Sequence, residues 1–273
     1  MPTTKANGIE IYYETHGEGP PLLLIMGLGA NATAWWKQIP AFAEHYRVIA
    51  FDNRGAGRSE KPAGPYSIPQ MADDADALMD ALGVASSHVF GMSLGGMIAQ
   101  EYTLRHPRRV HALILGGTTP GGPKAVTAGP QVVQHFATVA SLPIEQAIER
   151  GLSLLYSDAF IGANREWLLP RALELAHLMP PPHALQAQLI AAMTHNTYDR
   201  LAGLAAPALV LSGTADKIVP HHNSVLLSEG IPGARLVQFE GAGHGFLVER
   251  AEEVNRSVLG FLAPHNGGYA GPK

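Results

Sequence analysis

The chain has 273 residues, of which 46% are hydrophobic and 15% are charged, and its formal net charge is −4 at pH 7. This length allows one or two domains with a large buried core. The absence of cysteine excludes disulfides, thiolate nucleophiles and cysteine-based metal sites. Charges of both signs are dispersed, without the basic patch that nucleic acid or an anionic membrane would require.

The N-terminal segment does not resemble a targeting signal. Residues 1–8 lack the apolar stretch of a signal peptide, and the longest early apolar run, residues 22–26, is too short to cross a membrane. We therefore expect a cytoplasmic protein with a small-molecule substrate and with no nucleic-acid or membrane partner. The sequence leaves its oligomeric state open.

The first part of the chain alternates strand and helix patterns. Residues 9–13 alternate apolar with polar side chains, whereas residues 22–26 and 47–52 are largely apolar, which is typical of strands covered on both faces. Residues 35–46 are predicted to be helical, with a kink or break at Pro40. A second helix is predicted after Ser67, a suitable N-cap, and before Gly83, which suits the position after its end.

The segment 87–106 contains the most informative turn. A buried strand ending at residue 90 is followed by a helix predicted over residues 94–105, which ends before Pro107. Between them the chain reads Gly91-Met-Ser93-Leu-Gly95. Two glycines allow strand and helix to approach closely, and Ser93 at the apex would have an exposed hydroxyl on a strained backbone. The pattern predicts a nucleophile elbow; the alternative is a glycine-rich turn with a spectator serine.

A further strand over residues 111–116 continues the alternation, which is typical of a mainly parallel sheet with helices on both faces. No convincing strand follows within about residues 118–199. Helices are predicted there at 131–140, 144–156, 166–178 and 184–194. We therefore predict a core domain of residues 1–118 and 200–273 with a helical cap, residues 119–199, inserted in it.

The sheet pattern returns after the insertion. Strands are predicted at residues 207–212 and 235–239, with a helix at 220–229 between them. A last helix over residues 251–262 precedes a frayed tail rich in glycine and proline, residues 264–273.

Ser93, Asp216 and His244 each follow a predicted strand, in the order serine, acid, histidine. Together with three glycine-rich loops, this order resembles the α/β-hydrolase family over about residues 8–263. The loops are Met26-Gly-Leu-Gly29, Asp52-x-Arg-Gly-x-Gly-x-Ser59 and Gly243-His-Gly245. The resemblance implies an α/β-hydrolase fold: a mostly parallel eight-stranded sheet with helices on both faces and an inserted helical cap. It also implies a hydrolase without a cofactor.

The resemblance implies a role for each residue. A serine hydroxyl is a poor nucleophile, so His244 would take the proton of Ser93 as it attacks, and Asp216 would orient and stabilise the imidazole. The main-chain N–H groups of Leu28 and Leu94 would form the oxyanion hole. Many relatives have His-Gly where this chain has Met26-Gly27, a change that a main-chain donor tolerates.

Some residues allow other interpretations. Related families place the acid after the strand ending near residue 116, but Gly116-Gly-Thr-Thr there has no carboxylate, which favours Asp216. We interpret His221 and His222 as the exposed first turn of a helix. The loop from Asp52 to Ser59 is interpreted as a structure held by Asp–Arg contacts rather than as a catalytic site. Trp35 and Trp36 follow the Leu28 loop, and the sequence leaves open whether either faces the site.

The sequence favours a serine hydrolase that cleaves carboxylic esters or lactones. The apolar composition of the inserted helices suits a substrate with an apolar acyl part, which favours N-acyl homoserine lactones. Packing between the helices explains the same composition. A metal-dependent lactonase is disfavoured because no His-x-His-x-Asp-His run exists, and we expect no metal site. The alternatives are hydrolysis of a C–C bond, cofactor-free perhydrolysis, and a hydrolase-like receptor with little turnover.

Overall fold

The computed structural model describes residues 2–266, and an eight-stranded sheet lies at its centre. The strands are β1 Thr3–Ala6, β2 Ile9–His16, β3 Pro21–Ile25, β4 Arg47–Phe51, β5 Ser87–Met92, β6 Val110–Gly116, β7 Ala208–Gly213 and β8 Arg235–Phe239. Their order in the sheet is β1-β2-β4-β3-β5-β6-β7-β8. β1 and β2 are antiparallel to their neighbours, whereas β3 to β8 pair in parallel. The predicted mostly parallel sheet is confirmed.

Helices cover both faces of this sheet. They are α1 Ile39–Phe42, α2 Ile68–Ala81, α3 Leu94–Arg105, α4 Pro130–Thr138, α5 Ile144–Leu155, α6 Asp158–Glu174, α7 Pro182–Met193, α8 His222–Gly230, α9 Phe246–Glu249 and α10 Ala251–Leu262. Apolar residues of α2, α3 and α8 pack on one face, and those of α1, α9 and α10 pack on the other. None of these helices has the length and apolar character that crossing a membrane requires.

The strand β3 shows why the sequence forms this layered core. Its apolar side chains alternate between the two faces, so that Leu23 and Ile25 join one apolar cluster while Leu22 and Leu24 join the other. All four are fully buried. Because burying one such side chain contributes about 1.5–3 kcal/mol, a continuous apolar run is stable only where both faces are covered.

Several predicted bounds were accurate. α3 and α10 span the predicted residues, and α2 begins after Ser67, whose hydroxyl accepts a hydrogen bond from Gln70 N at 3.2 Å. Gly83 lies just after α2 with φ +66°, as its predicted role requires. Of the predicted tail, residues 267–273 lie outside the described residues.

Two predicted helices were wrong in their bounds. The helix expected over residues 35–46 is a short 3₁₀ turn, Ala32–Trp35, followed by α1, because Pro40 takes the first turn of a new helix rather than a kink. The helix expected from residue 166 begins at Asp158, because the Ser157 hydroxyl caps it by accepting from Phe160 N. Pro170 lies within both the predicted and the observed helix and does not end it.

The chain between β6 and β7 forms α4 to α7, and its two ends lie together. Gly121 and Asn196 form an isolated β-bridge, and Thr197 N donates to Pro120 O at 2.8 Å. This segment, residues 119–199, is called the insertion below. It packs over the loops that follow β3 and β8, and its status as a separate cap domain remains a prediction.

Candidate active site

Ser93 lies at the turn between β5 and α3, at the carboxyl end of a central strand. Its φ of 56° and ψ of −120° are unusual for a residue with a side chain and place strain on the backbone. A Cβ on Gly91 would collide with Gly95 O, and one on Gly95 would collide with Ile25 O. The glycines are thus required by close backbone approach, as the elbow pattern predicts.

Asp216 and His244 form a buried pair on neighbouring strand ends. His244 Nδ1 lies 2.6 Å from Asp216 Oδ2. The other carboxylate oxygen, Oδ1, accepts hydrogen bonds from Ile218 N and Val219 N, each at 2.8 Å. Because the carboxylate is an acceptor, Nδ1 holds the imidazole proton and Nε2 is left as a base. The loop after β7 thereby fixes both the position and the tautomer of His244.

The loop after β6 connects this pair to the serine turn. Ser93 N donates to Gly116 O at 2.8 Å, and a Cβ on Gly117 would lie 3.3 Å from His244 Nδ1. Within residues 2–266, no hydrogen bond joins the Ser93 hydroxyl to His244. Hydrogen bonds of this kind are often long without substrate and shorten when it binds. The structure brings the acid and the histidine together after β7 and β8, and it places the serine at the same edge of the sheet after β5, with β6 between them.

The predicted oxyanion loop runs beside Ser93. A Cβ on Gly27 would lie 3.0 Å from Ser93 Cβ and 3.5 Å from Ser93 Oγ. Leu94 is the first residue of α3, where the N–H has no partner within the helix. Across the described part of the chain, neither Leu28 N nor Leu94 N donates to another residue. Both N–H groups are therefore available to a ligand at this turn.

Histidines and carboxylates outside this group have structural contacts. The interpretation of His221 and His222 as an exposed first turn holds only for His222, which begins α8. His221 precedes the helix and is half-buried, because it is hydrogen-bonded to Ser212 Oγ and to Gln238 Nε2, both at 2.9 Å. Asp52 accepts from Arg58 N at 2.7 Å and from Arg58 Nε at 2.8 Å, which confirms the interpretation of its loop as an Asp–Arg structure. Among the described residues, no three acidic or histidine side chains form a group that could hold a metal ion.

The two tryptophans have different surroundings. Trp35 is fully buried in the core, with its ring centroid 4.9 Å from that of Phe90. Trp36 contacts Trp167 of α6 at 5.7 Å between centroids, and Arg171 of the same helix lies 4.3 Å from its ring. Trp35 therefore stabilises the core, whereas Trp36 attaches the insertion to the residues after the oxyanion loop.

Two polar residues of this region had no signal in the sequence. Gln188 of α7 accepts a hydrogen bond from Gly29 N at 2.9 Å, and Glu249 accepts one from Gly243 N at 3.0 Å. The Ser157 hydroxyl, which belongs to the insertion, also donates to Glu249. Gly29 and Gly243 offer main-chain groups, which have no signal in the sequence, so spacing and residue type could not reveal these contacts.

Comparison with known proteins assigns this fold to one protein family. A family model described as the alpha/beta hydrolase fold matches residues 20–251, and the chain belongs to that family. A protein of Azorhizobium caulinodans named as carbamate hydrolase RutD is 32% identical over 261 residues, which cover 96% of this chain and 98% of that protein.

Solved structures agree with this membership. The enol-lactonase from Burkholderia xenovorans LB400 is 28% identical with a TM-score of 0.85, covering 96% of this chain and 99% of that one. Est816, described as an N-acyl homoserine lactone degrading enzyme, is 31% identical with a TM-score of 0.79, covering 95% of this chain and 100% of that one. The chain is therefore a hydrolase, with an esterase- or lactonase-like architecture.

Proposed function

We propose that this hydrolase cleaves carboxylic esters or lactones through an acyl-enzyme on Ser93. The observation that carries the proposal is the strained serine turn, with φ of 56°, at the same edge of the sheet as a buried Asp216–His244 pair joined at 2.6 Å. A strained residue persists only where its surroundings hold it, and such residues cluster at active sites. No cofactor is needed for this chemistry.

The geometry supports a two-step mechanism. Ser93 Oγ attacks the carbonyl carbon while His244 Nε2 takes its proton, and Asp216 stabilises the resulting imidazolium. The N–H groups of Leu28 and Leu94 donate to the oxyanion, and each such donor lowers the barrier by about 3–4 kcal/mol in measured cases. His244 then protonates the leaving alcohol. Water, activated by the same imidazole, releases the acid and restores the serine.

The surroundings of the oxyanion loop favour a substrate with an apolar acyl part. Above Gly29 lie side-chain atoms of the insertion: a Cβ there would be 3.2 Å from Leu185 Cδ1 and 3.5 Å from Pro180 Cγ. Apolar walls beside a polar reaction centre suit an acyl chain attached to a small polar ring. The names of the enol-lactonase and of Est816 favour a lactone, and among lactones we favour the N-acyl homoserine type.

A carbamate is the second candidate, because the relative from Azorhizobium caulinodans is named as a carbamate hydrolase. A carbamate has the same carbonyl centre and would use the same nucleophile and oxyanion donors. It differs in the leaving group, which is an amine or ammonia, and in the shorter polar acyl part. The apolar contacts above Gly29 favour the ester or lactone over this alternative.

A substrate panel tests the proposal. It contains N-acyl homoserine lactones of several chain lengths, p-nitrophenyl esters, a simple carbamate, a vinylogous diketone, and peroxide with a carboxylic acid. We expect the highest kcat/KM for a lactone or an ester with a medium or long acyl chain. Turnover of esters without any turnover of lactones would remove the lactone assignment. Turnover of only the carbamate or only the diketone would replace the proposal.

A further inference from the structure

Gln188 connects the insertion to two loops at the carboxyl edge of the sheet. It lies in α7, and its side chain is fully buried. Its Oε1 accepts from Gly29 N at 2.9 Å, and its Nε2 donates to Arg54 O at 2.7 Å. Gly29 belongs to the loop after β3, and Arg54 to the loop after β4. One side chain of the insertion thus joins both loops.

These two contacts require a glutamine in one orientation. Rotating the amide by 180° would point its NH₂ group at Gly29 N–H and its oxygen at Arg54 O, so that donor would face donor and acceptor would face acceptor. A buried amide that loses a partner is destabilised by the full cost of removing it from water. The main-chain groups therefore select both the residue type and the direction of the amide.

The contact with Gly29 adjoins a proposed catalytic group. Gly29 has φ of +68° and follows Leu28, whose N–H is one of the two proposed oxyanion donors. A hydrogen bond to Gly29 N fixes the peptide group after Leu28 and so restricts rotation about the Leu28 backbone. The loop also needs this support because a glycine in the left-handed region tolerates many other conformations.

We propose that Gln188 is a positioning residue, which holds the oxyanion loop so that Leu28 N–H points at the reacting carbonyl oxygen. This inference rests on the proposed function of Ser93. Through Gln188 the insertion contributes to the rate of the reaction, in addition to covering the substrate. A preorganised donor is effective only when its position is fixed before the charge develops.

Two variants separate positioning from stability. Gln188→Met keeps the length of the side chain and removes both hydrogen bonds, whereas Gln188→Glu keeps an acceptor for Gly29 N–H. Gln186→Met is the matched control, because Gln186 is exposed on the same helix. We expect Gln188→Met to lower kcat on a p-nitrophenyl ester roughly 10- to 100-fold with little change in KM. Gln188→Glu should recover part of the loss, and Gln186→Met should match the wild type.

A boronic acid provides the decisive readout, because it binds a serine hydrolase as a tetrahedral adduct that places an oxygen in the oxyanion hole. Its inhibition constant should rise for Gln188→Met by about the factor by which kcat/KM falls. Unchanged kcat and boronic acid affinity in the folded variant would overturn the role of Gln188. If Gln188→Met does not fold, the same two measurements on Gln188→Leu, which also removes both hydrogen bonds, decide. A wild type that the boronic acid does not inhibit, with Ser93→Ala fully active, would instead contradict the proposed function.

Discussion

The carboxyl edge of the sheet and the helices of the insertion differ in the space around their glycines. At the edge, a Cβ on Gly95 would collide with Ile25 O, and one on Gly96 would lie 2.6 Å from Thr118 Cβ. In the insertion, Gly151 and Gly162 lie on helices where an added Cβ meets no atom within 4 Å. Backbone contacts therefore dictate residue type around Ser93, whereas much of the insertion tolerates change.

The side chains of the two regions also differ in burial and in their hydrogen bonds. Asp216 and His244 are buried at the edge and bonded to each other. The insertion exposes large apolar side chains to solvent, namely Val126, Val133, Ile144, Met179, Ile190 and Met193. Only a few of its residues, such as Gln188 and Ser157, bond to loops at the edge. The proposed catalytic residues thus lie at the sheet edge, and hydrogen bonds from residues such as Gln188 connect the insertion to this edge.

Replacing Ser93 should have the largest effect. We expect Ser93→Ala to lower kcat by at least about a thousandfold, because the nucleophile is lost while the oxyanion donors and substrate contacts remain. The substitution does not fully relieve the backbone strain at position 93, because alanine also has a Cβ. Turnover of the best substrate is measured beside far-UV circular dichroism, which should be unchanged. A folded variant with the wild-type rate would exclude Ser93 as the nucleophile.

A methyl group at Gly95 should be the next most damaging change. The strand–helix corner must open to admit it, and we expect Gly95→Ala to lower the free energy of unfolding by about 3 kcal/mol or more. The activity of the folded fraction should fall as well, because Ser93 shifts with the corner. Urea unfolding of the variant and the wild type measures the difference. Equal midpoints would show that the close approach to Ile25 does not determine the residue.

The buried imidazole of the insertion should make the protein sensitive to acid. Burial lowers the pKa of His195 to about 4, although Glu101 opposes this shift. Below pH 6.5 the unfolded chain binds a proton that the folded chain does not, so stability falls as the pH falls from about 6.5 to about 4. One such group accounts for about 3 kcal/mol over that range.

The variant that tests this acid sensitivity is His195→Gln, which keeps a polar side chain near Thr197 but has no titratable group. Its unfolding free energy, measured in urea between pH 7 and pH 4.5, should fall less steeply than that of the wild type. Identical pH slopes for variant and wild type would contradict the neutral, buried state of His195.

The smallest expected effect is a gain in stability within the insertion. Gly162 lies in α6 with open space around it, so Gly162→Ala should raise the free energy of unfolding by about 0.5–1 kcal/mol by reducing the entropy of the unfolded chain. Thermal unfolding of this variant, beside Gly95→Ala, compares the two regions directly. A loss of stability at Gly162 would mean that the insertion is packed as tightly as the edge.

The sequence predicted the sheet and the serine turn well because both depend on local pattern. Continuous apolar runs identified β3 and β4, and the glycines at 91 and 95 identified the corner between β5 and α3. The strand β1 was not predicted, because Thr3–Ala6 has no apolar alternation and joins the sheet through main-chain pairing with β2.

Most of the insertion was also predicted, since α4, α5 and α7 begin and end within two residues of the predicted bounds, whereas α6 was not. The start of α6 was missed although Ser157, whose hydroxyl accepts a hydrogen bond from Phe160 N, is a good N-cap. Gln188 and Glu249 could not be found at all, because their partners are N–H groups of Gly29 and Gly243, which carry no side-chain signal. The sequence thus indicated the proposed reacting groups and did not reveal the residues that contact their loops.

Direct detection of the covalent intermediate tests the central proposal most directly. The enzyme is mixed with its best ester or lactone, quenched in acid during turnover, digested and analysed by mass spectrometry. We predict that the peptide containing Ser93 gains the mass of the acyl group, and that Ser93→Ala shows no such gain. Rapid turnover with an unmodified Ser93 peptide, or acylation of a different residue, would contradict the account.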